Sequence, residues 1–319
     1  MILLLDCDVP WIPSQNSPSK GTRIYQIDID PLNERIPVSF FPAHGRWRAE
    51  CYTSLRQIIS HVKASPLSKT LQKPLFQERK KSLADGHTKR LAEIAARVRL
   101  GDEQTLDASN IGHLLKHHLP DTTVFVVEAV TCAQLLSDQL QMDRPGSWIN
   151  CGATGIGWSN GAALGVKMAM DDKAGTTQDE QEPALICQVV GDGSFMCAAP
   201  SSALWVASKY KIPILTVVLN NGGFKAPRNS TALVYPHGLN EGATDDEMNI
   251  SFKPSPNYAA LAEAAAGGRM SKDRHQDPNN WMLGVQVDSV LSLRRELSRA
   301  SERVMNGKKG MLIEAFLAE

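Results

Sequence analysis

The chain has 319 residues, carries 34 basic and 34 acidic side chains, and is formally uncharged at pH 7. A hydrophobic content of 42% and a charged content of 21% exclude wholesale disorder and suit one large or two ordinary domains. Balanced charge gives no electrostatic ground for a nucleic-acid or membrane-surface partner, and no apolar run reaches the roughly 18 residues of a membrane helix.

The opening Met1–Leu5 is apolar but short, lacks a basic flank and runs into Asp6 and Asp8, so it is read as a strand rather than a signal peptide, and a cytoplasmic location is expected. The cysteines at Cys7, Cys51, Cys132, Cys151, Cys187 and Cys197 show no CxxC and no metal-type spacing, which predicts reduced, buried thiols. A second strand is predicted over Arg23–Ile29, alternating around Ile24, Ile27 and Ile29. A helix is predicted over Cys51–Val62, with Leu55, Ile58, Ile59 and Val62 on one face. Two strands and one helix are too little to close a core. Residues 1–62 are therefore expected to be the remnant of a larger α/β domain. Residues 63–104, basic and proline-punctuated before a charged helical stretch over Ser82–Leu100, are expected to form a linker with a solvated surface.

From residue 105 onward, strands and helices alternate. Helices are predicted at Ala108–His117, Asn160–Met170, Ser201–Tyr210, Pro256–Ala266 and Ser289–Met305. Pro256 stands at the favoured first position of its helix and Gly267 at the stop. Strands are predicted at Val124–Val127, Leu185–Val190, Ile214–Leu219, Val285–Val287 and Met311–Phe316, with Lys173–Pro183 as a surface loop. Continuous apolar strands separated by helices predict a doubly wound parallel α/β sheet covered on both faces.

Ligands in such sheets bind beyond the carboxyl ends of the strands. Two strands here end in polar, glycine-rich turns, Gly191-Asp192-Gly193-Ser194 and Asn220-Asn221-Gly222-Gly223. Either alone is ordinary turn chemistry; together they offer a carboxylate, an amide oxygen and close backbone approach. That set suits Mg²⁺ holding a diphosphate, because Mg²⁺ takes one or two protein carboxylates together with phosphate oxygens. The helix beginning near Ser201 is expected to point its amino end toward the anion. No GxxxxGK[ST] sequence is present.

Gly191-Asp192-Gly193, 26 intervening residues and Asn220-Asn221 resemble the cofactor motif of the thiamine diphosphate enzymes of the acetolactate synthase and 2-oxo acid decarboxylase type. Gly155-Ile156-Gly157 through Gly165, Phe252–Glu263, Gly310–Glu314 and Ile27–Pro31 resemble further parts of that family, so the likeness covers nearly the whole chain. The resemblance implies a thiamine diphosphate-binding fold over 105–319, preceded by a partial central domain. It implies Mg²⁺ ligation by Asp192, Asn221 and the Gly223 carbonyl, and diphosphate contacts from Gly191, Gly193 and Ser194. It implies that Ile156 props the bent cofactor, for which plain packing is the alternative. Glu128–Thr131 follows a strand where the family often touches the diphosphate, so Thr131 joins the candidates. Glu128 itself is expected to be a surface carboxylate at the strand end.

The implied chemistry is addition of the cofactor to a 2-oxo acid, loss of carbon dioxide, and protonation or carboligation. The family's activating glutamate sits in an amino-terminal pyrimidine-binding domain to which no segment here corresponds. No residue present is assigned its role; either the chain is a truncated product or another polypeptide is expected to supply the missing half, and a homo-oligomer or such a partner is the expected assembly. FAD, carried by some acetolactate synthases, has no supporting residues here. Gly222–Arg228 departs from the usual synthase sequence, which leaves a benzoylformate decarboxylase-like or 2-hydroxyacyl lyase-like activity open, as well as a non-catalytic partner subunit. A nicotinamide-binding protein is a further alternative, since Gly155–Gly161 almost spells GxGxxG with the last spacing one residue too long. His117 and His118 at a helix end, and His237 in a loop, are expected to be structural or solvent-facing.

Overall fold

The computed structural model describes the chain except residues 8–9, 12–15, 33–40, 151–154, 177–183, 268–279 and 319. It falls into two compact units, Met1–Lys89 and Arg90–Glu319.

In the first unit, β1 (Ile2–Leu5), β2 (Ile24–Asp28) and β3 (Gly45–Arg48) form a parallel sheet in that order. Leu4, Ile24 and Phe41 make its small core. Gly45-Arg-Trp-Arg shows no apolar alternation, so β3 escapes a sequence reading; pairing with β2 makes it a strand. Helix α1 (Cys51–Ala64) is capped by Glu50, whose carboxylate accepts from Tyr52 N at 2.9 Å and Thr53 N at 2.6 Å. It buries no residue, and Leu55, Ile58 and Ile59 of the predicted apolar face are exposed. Helices α2 (Leu67–Thr70) and α3 (Pro74–Ala96) follow.

The second unit carries α4 (Ala108–His118), β4 (Val124–Glu128), α5 (Ala133–Leu140), β5 (Trp148–Asn150), α6 (Trp158–Thr176), β6 (Ile186–Gly191), α7 (Asp192–Cys197), α8 (Pro200–Tyr210), β7 (Leu215–Asn220), α9 (Lys225–Val234), α10 (Tyr258–Ala265), β8 (Met282–Val287), α11 (Val290–Ser301) and β9 (Gly310–Phe316). The six strands form one parallel sheet in the order β5-β4-β6-β7-β9-β8. β4 and β7 are buried at every position, which is why they read as largely apolar runs. One core, holding Leu115 of α4, Leu136 of α5 and Leu293 of α11, covers one face. A second, holding Ala163 of α6, Leu204 of α8 and Tyr258 of α10, covers the other. The doubly wound parallel sheet is therefore as predicted.

Several details differ from the sequence reading. Asn257, not Pro256, starts α10: its side-chain oxygen accepts from Ala260 N at 2.8 Å, a bond proline cannot make, so Pro256 lies outside the helix. Ser289 caps α11 in a reciprocal capping box with Ser292, and a π-helical turn over Glu302–Asn306 completes the predicted helix up to Gly307. Lys173 still belongs to α6, and 177–183 lies outside the described residues. The five described cysteines are free, but only Cys187 is buried; Cys51 and Cys132 are half-buried, Cys7 and Cys197 are exposed, and Cys151 lies outside the described residues. No helix among the described residues is long and apolar enough to cross a membrane.

Gly284 of β8 lets α10 approach closely: a Cβ there would come within 2.0 Å of Ala259 O. Gly284→Ala is expected to destabilise the fold by roughly 1–3 kcal/mol through overpacking, read as a lower urea midpoint.

Candidate diphosphate and metal site

From β4 the chain moves to β5 on one side of the sheet, and β6 then pairs on the other side of β4. The carboxyl ends of β4 and β6 thus flank a topological switch point, where connections diverge and leave a crevice. A shallow, open cleft of about 70 Å³ lies there. The turns after β4, β6 and β7 line it, as does Ile156.

Asp192 begins α7 directly at the end of β6 and is 2% exposed. Its Oδ1 accepts from Gly193 N at 2.8 Å and its Oδ2 from Gly223 N at 2.9 Å. Burial pushes its carboxyl above the ordinary carboxylate value, and surrounding backbone N–H groups offset that only in part. The helix that starts at the site is therefore α7, not the one predicted from Ser201. Sequence reasoning missed α7 because Gly-Asp-Gly reads as a turn.

Asn221 faces this carboxylate. With its amide nitrogen turned inward it donates to Gly223 O at 2.8 Å and to Asp192 Oδ1 at 3.2 Å. With its oxygen inward, the same atom meets only acceptors. Three oxygens then converge with no hydrogen between them, an arrangement that a cation relieves. Gly223 adopts φ +150°, and a Cβ there would lie 2.1 Å from Ile250 O. Among the described residues no three His, Cys, Asp or Glu side chains cluster as metal ligands, so a cation here would rest on one carboxylate and neutral oxygens.

Gly191, Gly193, Ser194 and Thr131 all line the cleft, as does Ile156, which is 54% exposed. A Cβ on Gly193 would meet the Phe224 ring at 2.6 Å, and that ring packs edge-on against Phe252 at 4.8 Å. All the site residues taken from the sequence are thus brought to one cleft. His237 does not line it; it is exposed and lies 3.6 Å from Glu241.

Glu128 was misread. It is 4% exposed, and its two oxygens accept from Gly157 N at 2.6 Å and Ser159 N at 2.7 Å. The carboxylate caps α6 and complements its positive end. It thereby fixes the turn that presents Ile156 to the cleft. An anion already occupying this helix end argues against a dinucleotide phosphate there. The only signal for it in sequence was an acidic residue closing an apolar strand, which also describes many surface residues.

A second missed group backs the Asn-Asn turn. Asn220 Nδ2 donates to Glu314 Oε1 at 2.8 Å and to Ser255 Oγ at 3.1 Å, while its Oδ1 accepts from Gly222 N at 3.1 Å. Glu314 is fully buried, and its Oε2 also accepts from Gln286 Nε2 at 3.0 Å. Beneath α7, Gln188 Nε2 donates to Ser159 Oγ and to Asn160 Oδ1, each at 2.9 Å, and Asn160 Nδ2 to Phe195 O at 2.9 Å.

Residues 129–315, more than half of the chain, match the family described as thiamine pyrophosphate enzyme, C-terminal TPP binding domain. The chain belongs to this family. It is 28% identical over 109 residues to the benzoylformate decarboxylase of Pseudomonas aeruginosa, an alignment covering 34% of this chain and 18% of that protein. Two solved structures share the fold. One is the thiamine diphosphate-dependent 4-hydroxybenzoylformate decarboxylase of Rhodococcus jostii RHA1, with TM-score 0.63, 21% identity, and coverage of 99% of this chain and 48% of that one. The other is benzoylformate decarboxylase from Polynucleobacter necessarius, with TM-score 0.64, 16% identity, and coverage of 99% and 49%. The chain thus spans about half the length of these structures.

Glu128, one residue before the matched segment, holds the Gly157 and Ser159 N–H groups, and Glu128→Ala would strand them. It is expected to cost about 1–3 kcal/mol, seen as a lower thermal midpoint, with a smaller loss for Glu128→Gln.

Proposed function

We propose that this chain supplies the Mg²⁺-diphosphate part of the active site of a thiamine diphosphate enzyme that decarboxylates 2-oxo acids. The observation that carries the reading is that the Asp192 carboxylate, the Asn221 side-chain amide and the Gly223 carbonyl meet at a switch-point cleft. With the Asn221 amide turned oxygen-inward, the three groups would fit a hard divalent cation, and the donor set is the sparse one Mg²⁺ accepts when phosphate oxygens complete its shell. Asp192, Asn221 Oδ1 and Gly223 O would hold the ion. Gly191, Gly193, Ser194 and Thr131 would border the diphosphate, and Ile156 would form an apolar shelf under the bent cofactor. Bound there, thiamine diphosphate supplies an electron sink for loss of carbon dioxide from a 2-oxo acid.

The chain's own residues position that group rather than exchange its protons. Asp192 is the only acidic residue lining the cleft among those described, and in this reading the metal engages it. The carboxylate that activates the aminopyrimidine would come from a pyrimidine-binding domain outside these residues. Between a synthase and a decarboxylase, the names of the similar proteins favour a decarboxylase of the benzoylformate type.

Thiamine diphosphate with Mg²⁺ is expected to raise the thermal midpoint, by about 2.7 kcal/mol of stabilisation at a hundredfold excess over Kd, and NAD is not. Asp192→Ala should remove the shift; an unchanged shift rejects the metal assignment. Because burial raises the Asp192 carboxyl, a proton competes with the ion. The shift should therefore shrink on acidification, starting above the ordinary carboxylate range.

A further inference from the structure

The cleft holds a cation that the metal and diphosphate assignments leave unused. Among the described residues lining it, Asp192 and Lys225 are the only charged ones. In the proposed reading Asp192 serves the metal, and a diphosphate brings several more negative charges into a partly desolvated space. Lys225 opens α9, two positions beyond Gly223. Its backbone is fixed relative to the metal turn. Phe224 N donates to Ile250 O and Phe252 N to Gly222 O, each at 2.8 Å. Lys225 Nζ pairs with Asp245, whose Oδ1 also accepts from Arg228 Nε at 2.7 Å. Arg228 Nη2 donates in turn to Ala243 O at 2.9 Å. One carboxylate therefore serves two cations, and this trio keeps a net positive charge beside the cleft. Asp245 would retain a full partner in Arg228 if the lysine turned away.

We infer that Lys225 contacts the diphosphate, its ammonium passing from Asp245 to a phosphate oxygen when the magnesium diphosphate binds. The inference rests on the proposed reading of the cleft. An ammonium on a four-carbon stem is a mobile point charge with three donors, suited to such a transfer. The competing account is that Lys225 only pins α9 to the segment around Asp245. The two accounts predict opposite behaviour when Asp245 is neutralised.

The test is calorimetric titration of the full chain with inorganic pyrophosphate and, separately, thiamine diphosphate, both with Mg²⁺. Lys225→Met should weaken both ligands about tenfold, the size of one charge-assisted hydrogen bond, and flatten the dependence of affinity on salt. Lys225→Arg should restore most of the loss. Asp245→Asn should bind as tightly as the unmodified chain or tighter, because the ammonium is no longer held back. Unchanged affinity in Lys225→Met overturns the inference alone, as do equal losses in Lys225→Met and Asp245→Asn, which is the signature of a pin. Failure of the unmodified chain to bind either ligand overturns the reading of the cleft, and the inference with it.

Discussion

The hydrogen bond from Gly223 N to the Asp192 carboxylate joins the ends of two adjacent strands through one desolvated side chain, which Gly193 N also steadies within its own turn. Everything else about the cleft depends on this junction. A buried carboxylate without a cation is costly, and backbone N–H groups compensate it only in part. The Gly223 bond holds the turn after β7 against the turn after β6, which brings the Asn221 amide and the Gly223 carbonyl to the carboxylate. The site is thus built from main-chain conformation around one ionised side chain, on the rigid edge of a sheet whose central strands are buried.

Two further buried carboxylates follow the same logic with other outcomes. Glu128 is satisfied by the amino end of α6, and Glu314 by the amides of Asn220 and Gln286. Neither lines the cleft. Their work is positional: one sets the turn bearing Ile156, the other sets Asn220 and through it the turn bearing Asn221. The two neighbouring asparagines consequently divide their labour, the first facing inward to the sheet and the second facing the cleft.

The sheet was legible because strands buried on both faces are mostly apolar, and β4, β6, β7 and β9 announce themselves that way. The cleft was legible because its oxygen donors sit in turns of unusual composition directly after two of those strands. What escaped had a common physical cause. β3 and β5 are edge strands defined by pairing rather than by pattern. α7 starts in a sequence that is equally good as a turn, and α9 buries no side chain at all. Glu128 reads as a solvated charge and Glu314 draws no reading of its own, because nothing in a linear chain shows that a helix end or an amide will fold over them. Pro256 was favoured as a helix start by general preference, yet the capping oxygen of its neighbour Asn257 decided the boundary.

Gly223 has the last word on how freely this site can vary. Asp192 and Asn221 are ligand candidates through side chains, so a single codon can erase either. The oxygen at Gly223 belongs to the peptide link, and the left-handed turn that aims it leaves no space for even a methyl group. That donor cannot be exchanged for a softer or harder one by substitution. A lineage could retune metal preference at the two side-chain positions while the third stays fixed as an oxygen, so long as the turn itself survives.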